Sequence, residues 1–498
     1  MKRILALLLG AALLLCLLAA CGASDGGSQP KTDHTELYDQ VMARFDGKLE
    51  EGAVVKVLEN DTAIELGYVD QLIEAFNDAY KDSGISAERM KADQYSDLAT
   101  DGPYGYGPDV WFQANDILMK YATKQHLLPL PVQDMDCWSQ IPQSAWDAYA
   151  TEMNGEKFYC GVPLAVQSGM LYYIESNLPD DWQEKWDVDH NGVPDFFETY
   201  TALYAFSEDV QATGGKTRYG YLDDMVDTYF MGGYLFTFGA YIFGENGTNA
   251  EDIGFAANDA VQGAQMIRQW AGEMNNTEVL DKTFASAAYQ YLADGVMLCT
   301  VTTPDVYRMF TRAMVNTGRW SEEEAQEDLK MITVPRLPLS GDLTADKWED
   351  TVTQKETLTT ETTMMGGING YGISAYTKCP NASLAFVEFA TSYEQAVRRN
   401  QMLGIAPARE DAARTVSETD PTTGILFDRL SRGYITIMPA ITEVGQIWTP
   451  AESFLIDLAT DPYREERGET LLYDTPEKIQ KGLENLVQQI SDAIHTLA

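Results

Sequence analysis

Cys160-Gly161-Val162-Pro163-Leu164-Ala165-Val166-Gln167-Ser168-Gly169-Met170-Leu171-Tyr172-Tyr173-Ile174 carries no charged side chain, which excludes an ordinary solvated loop. The run is apolar, breaks at the small pair Ser168-Gly169, and resumes with aromatic residues that favour extended backbone. Two readings fit. One is a buried core strand, because apolar runs interrupted by a glycine are common in buried sheets. The other is a crossover at which one lobe hands the chain to another, and the flanking sequence bears on that choice.

Upstream, Val54–Leu58 is a short β-rich run, followed by Val69, Leu72, Ile73, Phe76 and Tyr80 on one helical face. Ile85–Met90 reads as a second strand. After a Gly- and Tyr-rich loop around Gly105 comes a third, Pro108-Asp109-Val110-Trp111-Phe112, and then a helix beginning near Asn115-Asp116. This alternation predicts α/β architecture. Ligands of such sheets sit beyond the carboxyl ends of strands, which singles out Asn60 and Asp61, with Glu59 beside them, and Asn115 and Asp116. Asp116 reads equally as a helix N-cap.

Downstream, Asp187-Val188-Asp189-His190-Asn191-Gly192-Val193-Pro194-Asp195-Phe196-Phe197-Glu198 fits the EF-hand calcium loop. Oxygen donors stand at places one, three, five, nine and twelve (Asp187, Asp189, Asn191, Asp195, Glu198). Gly192 permits the sharp turn, Val193 offers its carbonyl and Glu198 is the bidentate ligand. One Ca²⁺ is therefore expected, with His190 facing solvent, and no organic cofactor. Tyr229 lies in an aromatic run that serves a core or a cleft. Trp448 precedes Thr449-Pro450-Ala451-Glu452, which reads as a capping box with Pro at the first helical position. The place of its staple partner is taken by Ser453, which leaves the indole free for a ligand. Asp305 and Tyr307 follow an expected Val296–Val301 strand and can face the same cleft.

Lys2 and Arg3 precede an unbroken apolar run from Ile4 to Ala20, the layout of a secretory signal too short to span a membrane comfortably. It ends in Leu18-Ala19-Ala20-Cys21-Gly22, which resembles the bacterial lipobox and implies lipidation of Cys21. A Gly/Ser tether follows. Acids number 76 against 35 Lys plus Arg, a formal charge of −41, so nucleic acid is excluded as a partner and any membrane attachment must come from the lipid at Cys21. With 45% hydrophobic and 11% aromatic residues, the body is folded. Cys137, Cys160, Cys299 and Cys379 show no zinc spacing; export permits disulfides among them, and buried free thiols fit as well.

Taken in order, several motifs resemble the sugar-binding lipoproteins of ABC importers, the maltodextrin-binding-protein superfamily of family 1 solute-binding proteins. They are Gly107-Pro108-Asp109-Val110, Asn115-Asp116, Leu127-Leu128-Pro129-Leu130, Gly161-Val162-Pro163, Asp294-Gly295-Val296-Met297, Gly370-Tyr371-Gly372-Ile373-Ser374 and the run from Pro439 to Trp448. The resemblance implies a two-lobed periplasmic-binding-protein-like α/β fold with discontinuous lobes, a multi-segment hinge and a cleft. It divides the chain into a signal peptide (1–20), a lipidated N-terminus and linker (21–49), an N-terminal lobe (50–165 plus about 335–404) and a C-terminal lobe (166–334 plus about 405–498).

The same resemblance implies a monomeric, non-enzymatic binder, anchored outside the cell membrane, that captures a carbohydrate and hands it to ABC permease subunits. Asp116 matches an acid that bonds sugar hydroxyls, Tyr229 a cleft aromatic and Trp448 a stacking ring. Gln167 stands where maltodextrin binders place a Glu, and Gln113 and Gly232 fall near their Trp positions, so their particular ligand does not carry over. The rival readings are a tethered glycoside hydrolase, which needs two suitably spaced carboxylates, and a glycan-capturing lipoprotein without an importer. The chain holds no His-Glu-x-x-His helix and only 4 His.

Overall fold

The computed structural model describes residues 35–94, 96–464 and 467–497, so the leader and Cys21 lie outside the described residues. The described residues up to Ala43 belong to a unit of their own. Its described part is the helix Glu36–Met42, whose N-cap Thr35 accepts a bond from the Tyr38 N–H at 3.1 Å. Among the described residues no helix is long and apolar enough to cross a membrane.

From Arg44 onward the described residues build two large sheets, beside two small two-stranded ones. Strands β1 (Val54–Leu58), β2 (Ser86–Arg89), β3 (Val110–Ala114) and β4 (Val162–Ser168) enter the first. Strands β5 (Met170–Ile174), β6 (Tyr219–Tyr221), β7 (Met297–Thr302) and β8 (Leu329–Ile332) make the second, after which β9 (Met364–Ile373), β10 (Ala406–Pro407) and β11 (Ile435–Ile437) return to the first. The first sheet runs β10-β4-β9-β3-β1-β2, with β11 also on β9, and the second runs β8-β5-β7-β6. Strand β1 is parallel to β2 and β3, while β9 is antiparallel to β3 and β4. The expected helix after β1 is Tyr68–Ala79, with Val69, Leu72, Ile73 and Phe76 all buried on its inner face. Each such side chain contributes roughly 1.5–3 kcal/mol by leaving water.

The break at Ser168-Gly169 is where the two sheets meet: β4 ends in the first at Ser168, and β5 begins in the second at Met170. Both readings of the opening stretch therefore apply, a buried strand on each side and a crossover between them. A Cβ at Gly169 would lie 2.7 Å from Met364 Cε and 3.2 Å from Val301 Cγ1, so strands from both sheets close in on that position. The chain crosses again within β9, whose Met364 and Met365 belong to the second core and whose Ile368, Tyr371 and Ile373 belong to the first. A third crossing separates Ile435, in the first core, from Met438, in the second.

Around the expected bounds near 335 and 405 both cores draw on the chain, with Ala406 and Leu426 in the second core. Leu337 and Leu343 still pack into the second core, and Ala408, Ala412 and Leu430 pack into the first, because β9 enters through the second core and β11 rejoins the first sheet at β9. The C-terminal helix Pro476–Leu497 lays Ile479, Leu483, Leu486, Ile490 and Ile494 into the second core at helical spacing. Cys137, Cys160, Cys299 and Cys379 are free and buried; burial pushes the Cys137 thiol up to about 11 and the Cys160 thiol up to about 12.

Candidate functional site

At the crossings the structure gathers side chains from segments far apart in sequence. Gln167, near the end of β4, donates from Nε2 to Asp305 Oδ1 at 2.9 Å, and its Oε1 accepts from Asn369 Nδ2 of β9 at 3.2 Å. Its backbone carbonyl accepts from the Tyr229 hydroxyl at 3.5 Å. The Tyr229 phenol is pushed well above its usual value by burial first and then by Asp305, Asp116 and Asp227, so it remains a hydrogen-bond donor. Gln167, Tyr229 and Asp305 thus share one place. Asn369 joins them; it is the lone amide in the Gly-rich run of β9, a polar interruption that sequence reasoning passed over.

Asp116 stands at the second position of the Asn115–Ala122 helix, whose N-cap is Ala114 with no side-chain bond, so the N-cap reading of Asp116 does not hold. Its Oδ1 is buried without a hydrogen-bond partner, and burial raises its carboxyl above the usual range. A buried acceptor left open is costly and is satisfied when a hydroxyl donor arrives. Asn115, beside it, is fully engaged: Nδ2 donates to the Met438 carbonyl at 2.9 Å and Oδ1 accepts from the Ile368 N–H at 3.2 Å. With no exposure, it bolts two crossing segments together rather than facing a ligand.

Beyond the carboxyl end of β1, Asn60 caps the Asp61–Glu65 helix by accepting from the Ala63 N–H at 2.8 Å, and Asp61 is exposed. Glu59 is withdrawn altogether. It is buried in an ion pair with Arg399 at 2.8 Å and accepts a short bond from the Tyr371 hydroxyl, while Arg399 lies 4.1 Å over the Phe112 ring. A cavity of about 1070 Å³ opens between Thr62, Leu66 and Gly404 on one side and Asp305, Tyr307 and Arg308 on the other. Tyr307 begins a helix and donates to the Gln326 carbonyl at 2.8 Å.

Trp448 is itself the first residue of the helix Trp448–Thr460, and the expected capping box is absent. A 3₁₀ turn, Thr442–Gln446, feeds directly into the helix, and the Ala451 N–H already bonds the Ile447 carbonyl at 3.0 Å. Glu452, cast as the box's reciprocal partner, instead pairs with Lys282 at 2.5 Å. The indole packs half-buried against the second core. Gln113, near an expected Trp position, is buried and donates to the Gln94 carbonyl at 2.5 Å, and Gly232 is packed against Phe236.

In the second lobe the 187–198 segment curls on itself around Gly192, at φ +80°. Asp187 Oδ1 accepts from the Gly192 N–H at 3.4 Å, and Asp189 Oδ2 accepts from Asn191 Nδ2 at 3.0 Å. Asn191 Oδ1 accepts from the Val193 N–H at 2.7 Å, and Val193 is exposed. Asp189, Asp195 and Glu198 bring carboxylate oxygens within 4.8 Å of one another, a cluster that can hold a metal ion. Two oxygens there lack partners: Oδ1 of the fully buried Asp195 and Oε2 of Glu198. Burial above all, with Glu198, Asp189 and Asp187 adding to it, pushes Asp195 up to about 6. His190 is exposed.

The family profile described as bacterial extracellular solute-binding protein matches residues 71–423. The maltodextrin-binding protein MdxE of Bacillus subtilis is 23% identical over 467 residues, covering 91% of this chain and 92% of its own. A maltooligosaccharide ABC transporter solute-binding lipoprotein of Streptococcus pneumoniae is 23% identical over 411 residues, covering 81% and 84%. The maltose-binding periplasmic protein MalE of Listeria monocytogenes, solved with maltose, superposes with a TM-score of 0.66 at 19% identity over 89% of this chain and 98% of its own. With the family profile spanning well over half its length and its two sheets joined by three crossings, the chain belongs to the bacterial extracellular solute-binding proteins and has their two-lobed α/β fold.

Proposed function

We propose that this protein captures an oligosaccharide between its lobes and delivers it to the permease of an ABC importer, acting as a monomeric binder without catalysis. The observation that carries the reading is the convergence of Gln167, Asn369, Tyr229 and Asp305 at the crossings, with the open Oδ1 of Asp116. Amide and carboxylate groups of this kind accept and donate to sugar hydroxyls, and Trp448 offers a ring face for a pyranose. The relatives whose names specify maltodextrin and maltooligosaccharide support an oligosaccharide as the ligand class. Lobes divided near residues 169, 366 and 437 would let a ligand touching both favour the closed state, which a permease can distinguish from the open one.

Two further parts complete the proposal. Cys21 carries a lipid that holds the body outside the cell membrane, as the lipobox resemblance and the lipoprotein relative support. The 187–198 loop binds one Ca²⁺ through Asp187, Asp189, Asn191, the Val193 carbonyl, Asp195 and Glu198, an all-oxygen donor set suited to a hard cation. Bound there, the ion would stabilise the second lobe, because it binds the folded state alone. The function is tested by calorimetric titration with a panel of neutral oligosaccharides, followed by chromatography of the recovered sugar. Saturable binding with intact ligand is expected; cleavage products, or no binding across the panel, would overturn the reading.

A further inference from the structure

Glu198 Oε1, one of the two oxygens a bidentate calcium ligand must supply, is already held by a cation. The Lys355 ammonium forms a short ion pair with it. Lys355 is three-quarters buried and opens the short Lys355–Leu358 helix, 157 residues from its partner in sequence. Its hold is reinforced from behind: the Lys355 carbonyl accepts from Thr359 Oγ1 at 2.6 Å, and Thr359 Oγ1 accepts from Arg336 Nε at 2.8 Å. Arg336 in turn is paired with the loop's own backbone, its N–H donating to the Glu198 carbonyl at 2.9 Å and its carbonyl accepting from the Tyr200 N–H at 2.9 Å. The backbone from which the Lys355 side chain reaches is therefore held in place beside the loop, and its ammonium sits on the Glu198 carboxylate.

We propose that Lys355 is a built-in counter-cation that competes with calcium at this loop and sets its affinity. The inference rests on the calcium reading above. Without metal, Asp189, Asp195 and Glu198 crowd together, and one positive charge on Glu198 relieves part of their repulsion. It does not complete the site, because Asp195 Oδ1 and Glu198 Oε2 stay without partners. When Ca²⁺ enters, it must take Glu198 through both oxygens, and it meets a positive charge at the atom it needs. The ammonium either withdraws or remains as a repulsive neighbour; either way binding weakens. A metal-free loop that keeps its shape and a metal affinity held low are two consequences of the same residue.

The test compares the whole chain with Lys355→Met and Lys355→Arg in calcium titrations read by calorimetry and by thermal melting, with chelator as the zero-calcium state. Lys355→Met is expected to tighten Ca²⁺ binding by on the order of tenfold, from the removal of one charge beside a dication, while melting at a lower temperature than the parent in chelator. Lys355→Arg, which keeps the charge, is expected to bind calcium as the parent does. Unchanged or weaker calcium affinity in Lys355→Met overturns the role of Lys355 while leaving the loop a calcium site. A calcium response that is absent in all three, or that survives Asp187→Ala with Glu198→Ala, overturns the calcium reading and the competition with it.

Discussion

Trp448 heads a helix in the second lobe with its ring half-buried against that core, far along the chain from Asp116 and Gln167. If its outer face stacks on a sugar, Trp448→Ala weakens oligosaccharide binding by about 1–3 kcal/mol, the range expected for losing a large aromatic contact; calorimetry reads the loss, and parent-like affinity counts against stacking. Asp223 makes a different prediction. It is buried, accepts from the Tyr221 hydroxyl at 2.6 Å and the Asp224 N–H at 2.8 Å, and burial drives its carboxyl well above the usual range. An unfolded chain gives up that proton near about pH 3.9, whereas the folded chain keeps it to higher pH. Between those two points the folded state holds more protons, so this group's contribution, complete below the unfolded value, is lost as pH rises through the folded one. Asp223→Asn, which has no proton to lose, should gain on the parent in melting temperature as pH rises from 5 to 8. Parallel melting curves across that range would contradict the assignment.

At the scale of elements, strand β9 is the piece on which both lobes depend. A bulge falls between Asn369 and Gly370 where β9 pairs with β4, and a Cβ at Gly370 would press into the Val162 carbonyl oxygen, backbone that cannot swing aside. Gly370→Ala should therefore destabilise the protein by about 2–3 kcal/mol, measured by urea denaturation; a change within about 0.5 kcal/mol, the range of an indifferent surface substitution, would mean the strands part easily. The sequence was legible where one local pattern determined the outcome. The apolar run with its Ser168-Gly169 break marked β4 and β5, the 3.6-residue spacing of Val69, Leu72, Ile73 and Phe76 marked a helix, and Gly192 marked the tight turn of the acidic loop. Pairings made only by the fold were not legible. Nothing in the spacing of Glu59 and Arg399, or of Glu198 and Lys355, forecasts their ion pairs, and Asn115 looked like a ligand contact because its two backbone partners lie more than 250 residues away. The capping box at Thr449 failed for a similar reason, since the preceding 3₁₀ turn already supplied a helix start.

For the whole molecule, a formal charge of −41 gives anionic membranes nothing to attract, so any attachment rests on the lipid proposed at Cys21. Replacing Cys21 with Ala should move folded protein from the membrane fraction to the soluble one; equal partitioning of parent and variant in high salt would contradict the anchor. An oligosaccharide bound at the crossings is expected to draw the lobes together, since Gln167 and Asn369 come from strands of the first sheet and Tyr229 and Asp305 from the second lobe. Small-angle X-ray scattering of the protein, alone and saturated with the tightest binder of the neutral oligosaccharide panel, tests it most directly. A smaller radius of gyration is expected in the saturated protein, and an unchanged radius at proven saturation would rule out closure.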